Sequence, residues 1–438
     1  MRYAKWIALV LGLSGVTLAL AIGLRGSRAQ RIATPEQPDL RPAAAIIRYR
    51  FDIAPALDFD LPGRITQLEG LVNSEIGSAL DMTDLAELYH RRAQQDGALA
   101  DYQRAETLAR QSLEKMPMRN GAGLVLAKVA NAQHRFREAI AIATEQLTRQ
   151  PTASGHAILS TAYLALGELP AAAAASDAAL KISPNSGGFL MRALVEQAQG
   201  KDREAAADFA RAAKVEEAGD VQGAARLRTL WGRFLLRRGD LTGSALLLDE
   251  ALRIVPEYPL ARAQRAELAL RTGKTKEART MFEQAFAASR QVRYLIDLAR
   301  AQELAGDRTA ADASRTQVER MVRAELRDHG FGHQLDLVEI LVDRGTPKDL
   351  AEAITLARAE VERRPSADTR FQLARALHRA GQRDEALKQI TAALASGARD
   401  ARMFELAARL ETGTRAVDYA READKLDPGG SGWRKLGM

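Results

Sequence analysis

RTLWGRFLLRRGDLTGSALLLDEALRIVP, residues 228–256, reads as two helices and two stops. An apolar helical pattern ends at Gly239-Asp240, and a second begins there and ends at Pro256. Glycine suits the end of the first helix because it takes positive φ without a Cβ clash. Proline suits the position beyond the second because it cannot continue a helix.

The same punctuation recurs on either side. Glycines fall at Gly167, Gly200, Gly239, Gly273, Gly306, Gly345 and Gly381, a period of about 34 residues interrupted by insertions of about five around 217–224 and 328–332. Prolines keep the same beat at Pro117, Pro151, Pro184, Pro256 and Pro365. Small residues mark the points where two helices must touch. In first helices these are Ala93, Ala127, Ser160, Ala193, Gly232, Ala266, Ala299 and Ala374; in second helices, Ala105, Ala139, Ala172, Ala205, Ala278, Ala311 and Ala386. A methyl group or less at such points lets helix axes approach closely. Tyr163, Phe209, Leu235, Leu248, Phe282 and Ile390 are placed to fill the spaces between neighbouring pairs.

Composition agrees. The 438 residues are 46% hydrophobic but only 5% aromatic, so the core is built from small and aliphatic side chains that favour helices. The pattern of small residue, aromatic or aliphatic, turn Gly, Ala, large apolar, Ala and Pro resembles the tetratricopeptide repeat (TPR) family. Ser160, Tyr163, Gly167, Ala172, Ala179 and Pro184 carry it well, as do Gly232, Leu235, Gly239, Leu248, Ala251 and Pro256. The usual large residue near the repeat start is present as Tyr89, Phe189 and Leu295 but replaced by Arg228, Arg262 and Arg370.

The resemblance implies an all-α fold, a right-handed α-solenoid of stacked helix-turn-helix repeats over 86–397. A capping helical segment at 64–85 precedes it, and a degenerate capping repeat at 398–428 and a tail at 429–438 follow. A second helix is expected to run long over 318–330. The resemblance further implies a noncatalytic interaction scaffold that binds proteins or peptides on a concave groove. Stepping the exposed face of each first helix in register gives His90, Gln94, Lys128, Asn131, Arg233, Arg237, Glu267, Arg300, Asp336, Glu339, Gln372 and Arg375. The Lys/Asn arrangement that clamps a C-terminal carboxylate in some TPR proteins is not reproduced in consecutive repeats.

The amino terminus reads differently. After a basic tail at 1–5, the uncharged run 6–24 is long enough to cross a bilayer, which predicts a transmembrane signal anchor. A cleaved signal peptide is the alternative. The expected location is a single-pass inner-membrane protein with its repeats in the periplasm, or a periplasmic or secreted protein after cleavage; a cytoplasm-facing regulatory domain is a further reading. Residues 25–63, with five prolines and the strand-like run IIRYRF, form a spacer.

The net charge of +7 is concentrated in residues 1–50, and the remainder is close to neutral, so no nucleic-acid partner is expected. With no cysteine, thiolate catalysis and cysteine-ligated zinc are excluded. No phosphate loop, dinucleotide fingerprint or nucleophile elbow appears, so neither cofactor nor small-molecule substrate is expected. His329 and His333 are the one histidine pair close enough to suggest a metal-binding or enzymatic alternative, and Gly330 and Gly332 place them in a loop.

Overall fold

Helical hairpins fill the chain from Ala79 to Leu426 in the computed structural model. It describes residues 40–53, 60–117, 120–327, 333–428 and 430–435, all of which fall in the unit Leu40–Met438. The apolar run at 6–24 and His329 lie outside the described residues. A short helix α1 (Ala44–Ile47) and a longer α2 (Leu61–Val72) come first. The hairpins then begin with α3 (Ala79–Asp96) and α4 (Leu99–Lys115), α5 (Ala122–Ala132) and α6 (Phe136–Arg149), and α7 (Ala153–Leu166) and α8 (Leu169–Ile182). The chain continues through α9 (Ser186–Ala198) with α10 (Asp202–Lys214), α11 (Val221–Arg237) with α12 (Leu241–Ile254), and α13 (Pro259–Arg271) with α14 (Thr275–Ser289). Then come α15 (Val292–Leu304) with α16 (Arg308–Arg327), α17 (Gln334–Arg344) with α18 (Pro347–Arg363), and α19 (Ala367–Arg379) with α20 (Arg383–Ala395). The last are α21 (Ala401–Leu410) with α22 (Gly413–Leu426), and a closing turn, α23 (Gly432–Lys435). There is no strand among the described residues, and none of their helices is long and apolar enough to cross a membrane.

Local chemistry explains the hairpins. Gly239 carries φ 81, and the next residue, Asp240, accepts the backbone N–H of Gly243 at 2.9 Å, so one helix ends and the next is capped within a few residues. At the contact points, Ala93, Ala105, Ala127, Ala139, Ala172, Ala193, Ala205, Ala266, Ala278, Ala311, Ala374 and Ala386 are wholly buried. A Cβ on Gly232 would stand 2.9 Å from Leu248 Cγ, too near without a shift. Ser160 donates its hydroxyl to the Ala172 carbonyl at 3.0 Å, pinning α7 to α8 where alanine would only touch. Phe209, Leu235, Leu248, Phe282 and Ile390 are buried fillers, whereas Tyr163 is half-buried. The turn before α6 uses His134 at φ 59 where neighbouring turns use glycine. Helix α16, at 20 residues, is the long second helix expected from the sequence.

Two features lie outside the nearest-neighbour logic of repeats. First, the line of hairpins comes back onto itself. Arg363 donates to the His134 carbonyl across 229 residues, and a Cβ on Gly200 would lie 2.9 Å from the carbonyl oxygen of Gly397. Gly200, at φ 73, is thus required both by its turn and by the backbone laid against it.

Second, residues 40–53 dock on the repeats instead of hanging free as a spacer. The run IIRYRF is divided between α1 and an extended segment from Arg48, and it joins no sheet. Tyr49 is 3% exposed among Val221, Ala224 and Ile254; its hydroxyl donates to the Glu217 carbonyl at 2.9 Å. Arg228 explains why a repeat start can be charged. Its guanidinium is buried, donates to the Ile47 carbonyl at 2.6 Å and pairs with Glu216. The segment leading into α11 therefore supplies the counter-charge and part of the socket for Tyr49.

Candidate functional site

The first helices share one face, and its charges are arranged differently along the chain. From α15 to α19 they are mutually paired. Arg293 meets Glu339 at 2.8 Å and Asp297 at 3.1 Å; Arg300 meets Glu339 at 2.8 Å and Asp343 at 3.1 Å. Arg375 closes the chain on Asp343 at 2.6 Å and donates to Gln372 at 2.7 Å. Asp336 reaches Arg293 at 3.5 Å. Next to this network, Glu267 pairs with Arg271 at 2.8 Å, and Arg237 reaches Asp400 at 3.7 Å.

Charge balance within the network sets its protonation. Burial disfavours every carboxylate here, but Arg293 and Arg300 outweigh it at Glu339 and hold that group well below the usual range. Against the same burial, Arg300 and Arg375 lower Asp343. Burial raises Asp297 and Asp336, Arg293 opposes it, and the adjacent charge of Glu339 pushes both further up. Four carboxylates face three guanidiniums; Glu339 and Asp343 are held down and Asp297 and Asp336 pushed up within the one network.

The early residues are separate. Lys128 pairs with Glu87 at 2.7 Å, and Asn131 donates to the Ile158 carbonyl at 3.0 Å. His90 is buried against the edge of Tyr102, with ring centroids 6.0 Å apart, and burial pushes its pKa down to about 4. Gln94 lines a cavity of about 770 Å³ where α3 and α4 face α11, α13 and α15.

Helix α11 presents Gln222, Arg226, Leu230, Arg233 and Arg237 on one stripe. Leu230 and the exposed Arg226 line the cavity. Arg233 stands one turn further along, half-buried, with its Nε sealed from solvent and unbonded. Burial and then Arg237 push its pKa down to about 10, so it remains charged at neutral pH. Neither Arg226 nor Arg233 makes a hydrogen bond or ion pair among the described residues.

Of the groove residues expected from register, the structure joins Arg300, Asp336, Glu339, Gln372 and Arg375 in one network and sets Glu267 and Arg237 in adjacent pairs. His90, Lys128 and Asn131 stay apart. Register reasoning missed Arg293, Asp297 and Asp343, although Asp297 lies one turn before Arg300 and Asp343 one turn after Glu339. It also missed Arg226, two turns before Arg233 on the α11 stripe. His333 pairs through Nδ1 with Glu325. No group of three metal-ligating side chains occurs among the described residues.

Residues 124–187 and 190–259 match the tetratricopeptide repeat family. Those two stretches are tetratricopeptide repeats. In sequence, no curated protein matches the chain. In fold the chain is similar to the human IFIT1 dimer with m7Gppp-AAAA, at 17% identity and a TM-score of 0.49, covering 87% of this chain and 97% of that one. It is similar also to the APC/C hetero-tetramer Cut9-Hcn1, at 12% identity and a TM-score of 0.48, covering 82% of this chain but only 58% of the other. A tetratricopeptide repeat protein from Parabacteroides merdae shares 17% identity at a TM-score of 0.37, with 56% of this chain and 93% of that one covered.

Proposed function

We propose that this protein is a noncatalytic scaffold that holds partner proteins or peptides on the face shared by its first helices. The carrying observation is the contrast on that face. Charges from α15 to α19 are paired with one another, while Arg226 and Arg233 on α11 make no hydrogen bond or ion pair among the described residues, at and beside a cavity. A charge such as that of Arg233, held at some desolvation cost with no hydrogen bond or ion pair among the described residues, is available to a ligand. The scaffold is proposed to be tethered by the apolar run at 6–24 to the inner membrane, with its repeats on the periplasmic side, and to serve assembly of an envelope complex.

Site-specific photo-crosslinking tests this reading. A benzoylphenylalanine at Gln222, on the cavity wall, is expected to capture a discrete protein in the cell of origin, and one at Gln103, exposed on α4, is expected to capture none. Equal capture at both positions, or none at Gln222, overturns it. Reporter fusions after residue 60 check the side of the membrane, and activity only in the cytoplasm overturns the proposed topology.

A further inference from the structure

One space in the molecule is assembled from parts of the chain that the repeat period does not bring together. Arg91 and Tyr102 come from the first hairpin, Arg226 from α11, and Tyr258 and Tyr294 from the start of α13 and from α15, all around the cavity of about 770 Å³. That size lies within the usual range for ligand sites, about 300–1,000 Å³.

The available groups are donors. The Tyr258 and Tyr294 hydroxyls and the Arg226 guanidinium make no hydrogen bond among the described residues, although Tyr294 is only 4% exposed. Burial raises both phenols, so they keep their protons at neutral pH and can offer them to an acceptor that the described residues do not supply. The one carboxylate on the cavity wall, Glu257, is exposed and sits 4.0 Å from Arg262. The rest of the wall includes Leu230, Val255, Pro259 and Leu260. Unpaired donors beside an apolar wall suit a ligand that carries both anionic oxygens and apolar groups.

We propose that this cavity binds a short acidic peptide segment of a partner protein, its carboxylates accepting hydrogen bonds from Arg226, Tyr258 and Tyr294 while its apolar side chains lie on Leu230 and Leu260. The proposal rests on the scaffold reading and names the ligand chemistry of that site. A nucleic acid is the less favoured occupant. The repeats carry little net charge, which removes the long-range attraction that phosphate backbones depend on, and the apolar wall has no role for phosphates. Such a peptide would bridge the first hairpin to α11, α13 and α15.

Fluorescence polarisation of the purified full chain decides the matter with three probes: a fluorescein-labelled Glu-Leu-Glu-Glu-Leu-Glu peptide, the same peptide with Gln for every Glu, and a labelled oligouridylate. The acidic peptide is expected to bind, and the Gln peptide to bind at least about tenfold more weakly, as for loss of a charge-assisted hydrogen bond. Arg226→Gln and the double variant Tyr258→Phe with Tyr294→Phe are each expected to weaken the acidic peptide by about tenfold. The Phe variant keeps both rings, so it preserves the test if Arg226→Gln fails to fold. Equal binding of the two peptides, insensitivity to both variants, or tighter binding of the oligouridylate overturns the proposal. Capture at Gln222 without acidic-peptide binding sinks this inference alone. Loss of both results removes the scaffold reading as well.

Discussion

Glu339 on α17 and Arg233 on α11 project from first helices onto the same shared face, yet the protein handles their charges in opposite ways. Glu339 is gripped by two guanidiniums, each at 2.8 Å, while Arg233 has a sealed, unbonded Nε. A buried ion is tolerable when its partner's attraction and hydrogen bonds offset the lost hydration. By that rule the charges joined around Glu339 satisfy one another, and Arg233 is not satisfied in this way. A register of polar side chains on first helices therefore does not by itself mark a groove. Where the charges are satisfied by each other they hold helices together, and only where they are unsatisfied do they define a place for something else.

A single change on the satisfied side is expected to cost the most. Glu339→Gln preserves shape and leaves Arg293 and Arg300 without their shared carboxylate, for an expected loss of about 3–5 kcal/mol. Hydrogen exchange of α15 and α17 is the right measurement, because repeat arrays open locally. The acid limb follows from the same residue. Glu339 has a depressed folded pKa, so its contribution is complete above its unfolded value, about 4.3, and is lost as pH falls through the folded value. Asp297 and Asp336, raised in the fold, act in the opposite sense: their contribution is complete below the unfolded value, about 3.9, and is lost as pH rises through the folded one. Glu339→Gln is therefore expected to flatten the acid loss of protection, and an unchanged acid limb would show that the network is not what sets it.

His90 shows a second way of managing a buried charge, which is to discharge it. With its pKa pushed down to about 4, it is neutral in the fold at any pH above that value. Its contribution is in place above the unfolded value, about 6.5, and falls by about 3 kcal/mol as pH drops toward 4. His90→Phe is expected to remove that dependence, read as urea midpoints at pH 7 and pH 4.5. If the variant retains the parent's drop in midpoint over that range, His90 is not the titrating group.

Most of the hairpin architecture was legible in the sequence, because it depends on neighbours. Gly239, the prolines beyond second helices and the buried alanines each act within one or two helices, so their period is visible. The membership of the candidate site was legible only as a face. Register says that Glu339 and Arg300 share a side. It does not say that Arg293, one turn before Asp297 on the same helix, reaches across to Glu339 as well, because that depends on how α15 lies on α17. The return of the chain onto itself was invisible for a similar reason. Gly200 shows its turn in its spacing, but nothing local announces that Gly397 will lie against it.

Tyr49 tests an element that the repeat period does not contain. Tyr49→Ala removes a buried ring from the socket formed by Val221, Ala224 and Ile254, for an expected local loss of about 2 kcal/mol. Limited proteolysis at 40–53 is expected to accelerate while exchange in α15 and α17 stays unchanged. Faster exchange in those helices would mean that the docked segment and the ion network open together.

Arg233 is expected to matter least for stability, and it bears most directly on the contrast with Glu339. Arg233→Met keeps much of the length and removes a charge that has no partner among the described residues, so no ion pair is lost and a desolvation cost is relieved. The expected change is within about 1 kcal/mol of zero, read by hydrogen exchange in α11. A loss as large as that of Glu339→Gln would mean that Arg233 is paired in solution, and the distinction between the two regions would fall. A neutral result together with weaker capture at Gln222 would separate the two roles that charge plays on this face: at Glu339 it holds helices to each other, and at Arg233 it is kept for a partner.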